Sequence, residues 1–309
     1  IEYNISLKMN VIYPCEKDIY TYKIDNITKM GLIGSTDNHK ARAGSGYKEF
    51  AKKAMGDSWG AKDNLTWLLP PERGASFYST GGLVAVHADS LNRDKIFDSL
   101  YEREVYATSG ERILLWFSLK HPELGNVPMG QEVEINTNPV FQVKAVGSFK
   151  QKPGCPDYVH TSLDQNEIAR LCLNECYNPS SDRNLIDRIE IIKIIPSPNP
   201  DKFPDQIQDP WKIFNCMDSI EGCEIKFTDD TYNDSQGDVV YYARAIQNPT
   251  LAVGGDPLRC TLDGEGNCIK IKPCYASGED FDPEDDCLAP VGERAWSSPL
   301  FLSKPKNLQ

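Results

Sequence analysis

Histidine is scarce in this chain. There are four in 309 residues, His39, His87, His121 and His160, and no two stand two positions apart. Long apolar runs are missing as well. The longest, such as Ile191–Ile195, are strand-sized and interrupted, well short of the roughly 18 residues that a membrane-spanning helix needs. Basic residues are in deficit, 33 Lys and Arg against 45 Asp and Glu, for a net charge of −12. That balance argues against non-specific nucleic-acid binding, which needs a basic face to neutralise phosphates, and fits a soluble protein whose copies repel one another. Paired short cysteine spacings are absent too. Cys172-x-x-x-Cys176 has no second pair at zinc-finger spacing, which disfavours structural zinc. The sequence opens at Ile1, with no initiating methionine and no signal peptide. An export signal, if the protein is exported, lies outside this sequence.

Cysteine itself is not scarce. Nine of the ten lie between Cys155 and Cys287, with Cys15 apart. They sit among Pro, Gly, Asn and Asp, a loop context that points to disulfide staples and an oxidising compartment, periplasmic or extracellular. Local pairs Cys216–Cys223, Cys260–Cys268 and Cys274–Cys287 are expected, leaving Cys15, Cys155, Cys172 and Cys176 open.

One stretch organises the rest. Gly31 to Gly34 reads as a short buried strand ending in the polar tip Ser35-Thr36-Asp37-Asn38-His39. On extended backbone Asp37 and His39, at i and i+2, share a side, so a carboxylate and an imidazole can serve one metal ion. The ends of strands are where α/β folds place their chemistry. Gly81–Ala88 reads as a second buried strand with His87 and Asp89 at its end. A helix follows, with Asn92 as N-cap, Asp94 in the first turn, and Ile96, Phe97, Leu100 and Tyr101 at helical spacing. Val105–Thr108 is a third short strand. Residues 30 to 110 thus read as strand, loop, strand, helix, strand, an α/β pattern.

Beyond Gly110 the texture changes. Arg112–Leu119, Val140–Val146, Ile186–Ile195, Val239–Ile246 and Ser298–Ser303 read as strands between Pro-, Gly- and Asn-rich loops, with one short helix near Gln165–Leu173. That pattern suggests a β-sandwich. The expected organisation is α/β plus all-β, with residues 1–111 as one domain and 112–309 as a cysteine-rich β-sandwich-like domain.

Four blocks occur in order: Gly31–His39, Gly81–Val86, Arg93–Ile113 and Glu293–Leu300. Together they resemble the family of domain of unknown function 3604, from about residue 20 to the C-terminus. The cysteine-rich stretch around Cys260–Cys287 resembles that of an exported bacterial branch. The resemblance extends to the polymerase and histidinol phosphatase superfamily of metal-dependent phosphoesterases. It implies that residues 1–111 are the C-terminal portion of a (β/α)7 barrel. Asp37 and His39 would be metal ligands, matching that superfamily's last motif, Asp-x-His. Two or three divalent transition ions, zinc, manganese or iron, would supply the hydroxide nucleophile.

The chain departs from that pattern where it lacks a His-x-His motif. The resemblance therefore implies a missing N-terminal segment or companion chain that completes the barrel and its ligands. Arg112 is a candidate contact for a small anionic substrate, since a guanidinium suits bidentate phosphate binding; an ion pair between domains is the alternative. His87 is a candidate pocket wall, and Arg42 and Lys40 are weaker anion candidates. The acidic loop Asp229-Asp230…Asp238 lacks the spacing of a calcium site and reads as a solvated hairpin tip. The expected function is an exported metal-dependent hydrolase of phosphoesterase type. A non-catalytic extracellular scaffold is the alternative, and metal-assisted lyase chemistry a weaker one.

Overall fold

The computed structural model describes residues 29–35, 82–172, 176–196, 206–235, 237–253, 260–271 and 288–305. In chain order its strands begin with β1 (Leu83–Val86), β2 (Val105–Thr108), β3 (Leu114–His121), β4 (Gly125–Pro128), β5 (Glu132–Glu134) and β6 (Val140–Val146). Next come β7 (Phe149–Gln151), β8 (Pro179–Arg183), β9 (Ile186–Ile194), β10 (Ile207–Asn215), β11 (Cys223–Thr228) and β12 (Val239–Gln247). The last are β13 (Thr250–Val253), β14 (Thr261–Leu262), β15 (Cys268–Lys270), β16 (Leu288–Val291), β17 (Arg294–Ser297) and β18 (Leu300–Ser303). The α-helices are α1 (Arg93–Tyr101), α2 (Asp157–Ser162) and α3 (Gln165–Cys172).

Two sheets carry the core. The larger runs β10-β9-β12 and then divides, because β12 pairs with β17 through Arg244–Ile246 and with β18 through Val239–Tyr241. Beyond β17 lie β2 and β1, and beyond β18 lies β5. The smaller sheet is β11-β6-β3-β4. Alternation explains how they face each other. On β3, Leu115, Phe117 and Leu119 are buried while Trp116 is exposed, the period-two pattern of a strand with one covered face. Phe141 of β6 meets Tyr241 of β12 with ring centroids 4.7 Å apart, and Phe117 and Phe227 stack on either side of Phe141 at 5.6 and 5.2 Å. This aromatic seam joins the sheets.

The break between β17 and β18 falls at Ser298-Pro299. Ser297 Oγ accepts the Ala243 amide at 2.9 Å, and Ser298 Oγ donates to the Val105 carbonyl at 2.6 Å. Both hydroxyls are buried and satisfied where the ladder is interrupted.

The α/β expectation for the first part is overturned. β1 and β2 are antiparallel, with Val86 opposite Val105 and Leu83 opposite Thr108, and β2 continues antiparallel into β17. A (β/α) barrel is built from parallel strands. Among the described residues only β5 with β18 is parallel, and no sheet closes on itself. The reason is topological. Residues 87–104, including α1, leave and return at one rung, so α1 is an excursion inserted into a hairpin rather than a crossover. Periodicity identifies strand and helix but carries no direction.

Among the described residues three disulfides staple the loops: Cys155–Cys176, Cys216–Cys223 and Cys260–Cys268. The last two are the expected local pairs, and the first joins two of the four cysteines left open. Cys15, Cys274 and Cys287, and the side chain of Cys172, lie outside the described residues. No helix among the described residues is long and apolar enough to cross a membrane.

Candidate functional site

Gly31–Ser35 lies without regular secondary structure, and Ile33 is 66% exposed, so the expected buried strand is not formed there. The segment is nevertheless tightly seated. The Leu32 amide donates to Ser298 Oγ at 3.0 Å. A β-carbon on Gly34 would come within 2.6 Å of the Leu83 carbonyl oxygen and 3.0 Å of that of Thr108. A β-carbon on Gly82 would stand 2.9 Å from the backbone of Ser35. Close approach of backbone to backbone is what makes glycine necessary at both positions. Ser35 is thereby fixed at the end of the β1–β2 pair where Leu83 faces Thr108. Asp37 and His39, like Lys40 and Arg42, lie outside the described residues.

The same end of β2 runs into a polar cluster. Ser109 bridges to the turn before β17: its amide donates to the Arg294 carbonyl at 2.9 Å, and its Oγ accepts the Arg294 amide at 2.8 Å and donates to the Glu293 carboxylate. Glu111 and Glu293 are both buried, 6% and 1% exposed. They occupy equivalent places in two copies of one triplet, Gly110-Glu111-Arg112 and Gly292-Glu293-Arg294. That repeat was the signal in the sequence for this cluster, which residue-type reasoning about ligands did not single out.

His87 stands beyond the other end of β1. Its Nε2–H donates to the Leu115 carbonyl at 2.9 Å, leaving the lone pair on Nδ1. The ring sits 5.3 Å from that of Tyr106 and 6.0 Å from that of Trp116. Burial lowers its pKa, and the hydrogen bond to Leu115 opposes this only in part. Arg112 places its guanidinium 3.6 Å over the ring of Tyr177, a cation–π contact. His87 and Arg112 therefore have different partners, and His87 lies a strand's length from Ser35. The remaining histidines serve local structure or stand apart. His121 Nδ1 accepts the amides of Glu123 and Leu124 in a turn, and His160 lies in α2.

The acidic loop is exposed at Asp230, Asp234 and Asp238, as expected, and departs from that reading at Asp229. Asp229 is fully buried and pairs with Lys193 at 2.6 Å; it also accepts from Tyr241 and Thr231. Burial pushes its carboxyl up, but the hydrogen bonds from Lys193, Tyr241 and Thr231 outweigh this and hold it below the usual range. A second buried network joins Arg244 to Glu190 and Asp209. Among the described residues no group of three or more His, Cys, Asp or Glu is placed to hold a metal ion.

Residues 21–148 match a known family model. It is described as Protein of unknown function (DUF3604). The chain is also similar to an uncharacterized protein of Chlamydia muridarum, 36% identical over 62 residues, which are 20% of this chain and 9% of that protein. An uncharacterized protein of Chlamydia trachomatis serovar D is 36% identical over 58 residues, 19% of this chain and 8% of that protein. The matches thus span less than a tenth of these curated relatives' length. No solved structure matches the chain.

Proposed function

We propose that this chain carries part of the active site of an exported, metal-dependent hydrolase of phosphoesterase type. In this reading Asp37 and His39 are two of the metal ligands, and a companion segment supplies the rest. The relation of the DUF3604 match to the polymerase and histidinol phosphatase superfamily belongs to this reading. The observation that carries it is the seat of Ser35: Gly34 and Gly82 admit only backbone, so the chain that leads into Asp37-Asn38-His39 starts from a fixed point. When bound, a divalent zinc, manganese or iron ion makes hydroxide available at neutral pH. Arg112 contributes a cation for a small anionic substrate, and His87, neutral and half-buried, forms wall.

The companion segment has a surface to meet. β1 is an edge strand among the described residues; its own Val84 is exposed, and so are Leu91, Phe97, Leu100 and Tyr101 on and before α1. Contiguous exposed apolar surface marks an interaction site. Disulfides support the exported setting.

Metal analysis of the purified protein, with assays on phosphate mono- and diesters after metal addition, tests the reading. The expected result is bound transition metal that is lost in the Asp37→Asn, His39→Ala double variant. No bound metal and no ester hydrolysis would leave the second reading, a non-catalytic extracellular scaffold. That alternative is favoured by one observation: the strongest charged groups described, Lys193–Asp229 and Arg244–Glu190, are built into the core rather than into a cleft.

A further inference from the structure

Among the described residues β11 is an edge strand of the smaller sheet. One of its ends is tied covalently to the larger sheet: Cys223, its first residue, is bonded to Cys216, which follows β10. Its other end runs into Asp229, whose partner across the sandwich is Lys193 of β9. Lys193 faces Tyr241 in the ladder between β9 and β12. Its Nζ lies 2.6 Å from Asp229 Oδ2, and the two side chains are only 4% and 0% exposed. A primary amine and a carboxyl group held in contact away from water are the two halves of an amide.

We propose that Lys193 and Asp229 condense into an isopeptide bond that joins the two sheets. Nζ attacks Asp229 Cγ. The Cγ–Nζ bond forms and the Cγ–Oδ2 bond breaks. The two protons that the ammonium gives up leave with Oδ2 as one water molecule, so the step needs no oxidant and no co-reactant.

The surroundings suit that step. Asp229 Oδ1 accepts the Thr231 amide at 2.9 Å and the Thr231 hydroxyl at 2.7 Å. These two donors face the oxygen that carries negative charge while Cγ is tetrahedral. Tyr241 donates its hydroxyl to Oδ2 at 2.5 Å, in place to pass a proton to the oxygen that leaves. Burial, together with the Asp229 carboxylate, pushes the pKa of Tyr241 up, so it acts as a neutral donor. Lys193 Nζ also donates to Thr231 Oγ1 at 3.1 Å and stands 5.0 Å from the centre of the Trp211 ring. Two reactants fixed in contact by the fold reach effective molarities of about 10⁵–10⁸ M. Condensation also replaces two buried charges, each costly to strip of water, by a neutral amide.

The attacking form has a proton moved from Lys193 to Asp229. It is a minor form, because hydrogen bonds hold the carboxyl ionised. Condensation is therefore slower than folding: the freshly folded chain carries the ion pair, and it is there that Asp229 titrates. Once the amide has formed, β11 is fixed covalently to the larger sheet at both ends, which suits an edge strand, the one most open to peeling away.

Mass spectrometry of the full chain with its disulfides reduced, fresh and after prolonged warming, followed by mapping of proteolytic peptides, tests this. The expected result is the loss of one water mass that grows with time, carried by a branched peptide linking Lys193 to Asp229. Lys193→Arg, which keeps the charge but offers no amine, and Asp229→Ala keep their full mass. Tyr241→Phe slows the loss by about 100-fold, as for removal of a proton donor. Should a variant fail to fold, the mass and the branched peptide of the unsubstituted chain decide alone. A mass that stays at the full value on warming overturns the proposal. So does a water loss found in a linear peptide, as from a succinimide at Asp229-Asp230, or one that persists in Lys193→Arg.

Discussion

Arg103 sits in the left-handed region, at φ 62°, where a residue with a β-carbon is strained. Its own side chain holds it there. Nε donates to the Gly130 carbonyl at 2.7 Å, the guanidinium reaches Glu132 at 3.3 Å, and it lies 5.9 Å over the Phe301 ring. Gly130 itself has φ 89° and no room for a β-carbon beside the Arg103 carbonyl. Gly130→Ala is therefore expected to destabilise by about 1–3 kcal/mol, read as a lowered midpoint in denaturant unfolding. Deeper in the molecule, Asp229→Ala strands the buried Lys193 ammonium and should lower stability by about 3–5 kcal/mol. The Asp229 carboxyl is depressed in the fold, so its contribution is present above the unfolded value, about 4, and is lost as pH falls through the folded one. Stability should fall more steeply below about pH 4 in the native chain than in Asp229→Asn. The sequence showed an acidic loop but not the burial of Asp229 within it. Lys193 sits among isoleucines in β9 of the larger sheet, Asp229 follows β11 of the smaller one, and nothing in the spacing of the two residues reveals that they meet.

The elements were more legible than their directions. The cap of α1 could be read directly: Asn92 Oδ1 accepts the Lys95 amide at 3.0 Å. Asn92→Ala should cost about 1 kcal/mol, measured by thermal unfolding. Alternation placed β3, β6, β9 and β12 within a residue or two. What alternation could not supply was that β1 and β2 pair antiparallel across the α1 excursion, because both faces of so short a strand read as apolar in either direction. The Gly31–Ser35 segment was legible as special but not as what it is. Its glycines record close backbone contact with β1 and β2 rather than a strand of the ladder. His87 belongs to this scale, since it ties the end of β1 to β3. Its pKa is lowered in the fold, so its contribution is present above the unfolded value and lost as pH falls. Lowering the pH from about 7.5 to about 5 should therefore destabilise the native chain more than His87→Gln, by chemical denaturation at both values.

At the scale of the whole molecule, the larger sheet gathers strands from residue 83 to residue 303. Its order was not legible, because pairing partners nearly 190 positions apart leave no periodic trace. The local disulfides Cys216–Cys223 and Cys260–Cys268 were legible, since short loops bring cysteines together whatever the fold. Each closes so short a loop, with separations of 7 and 8, that reduction should lower stability by only about 2–3 kcal/mol per bridge, measured by urea unfolding with and without reductant.

The split of β12 between β17 and β18 has a further consequence. The strands that connect β12 to both β2 and β5 are residues 294–303, made long after either of them. Until they emerge, β1–β2 and β5 have no neighbour in the larger sheet, and a chain with so many distant pairings folds slowly. The larger sheet therefore cannot close from its earlier strands alone, and β17 and β18 act as its keystone.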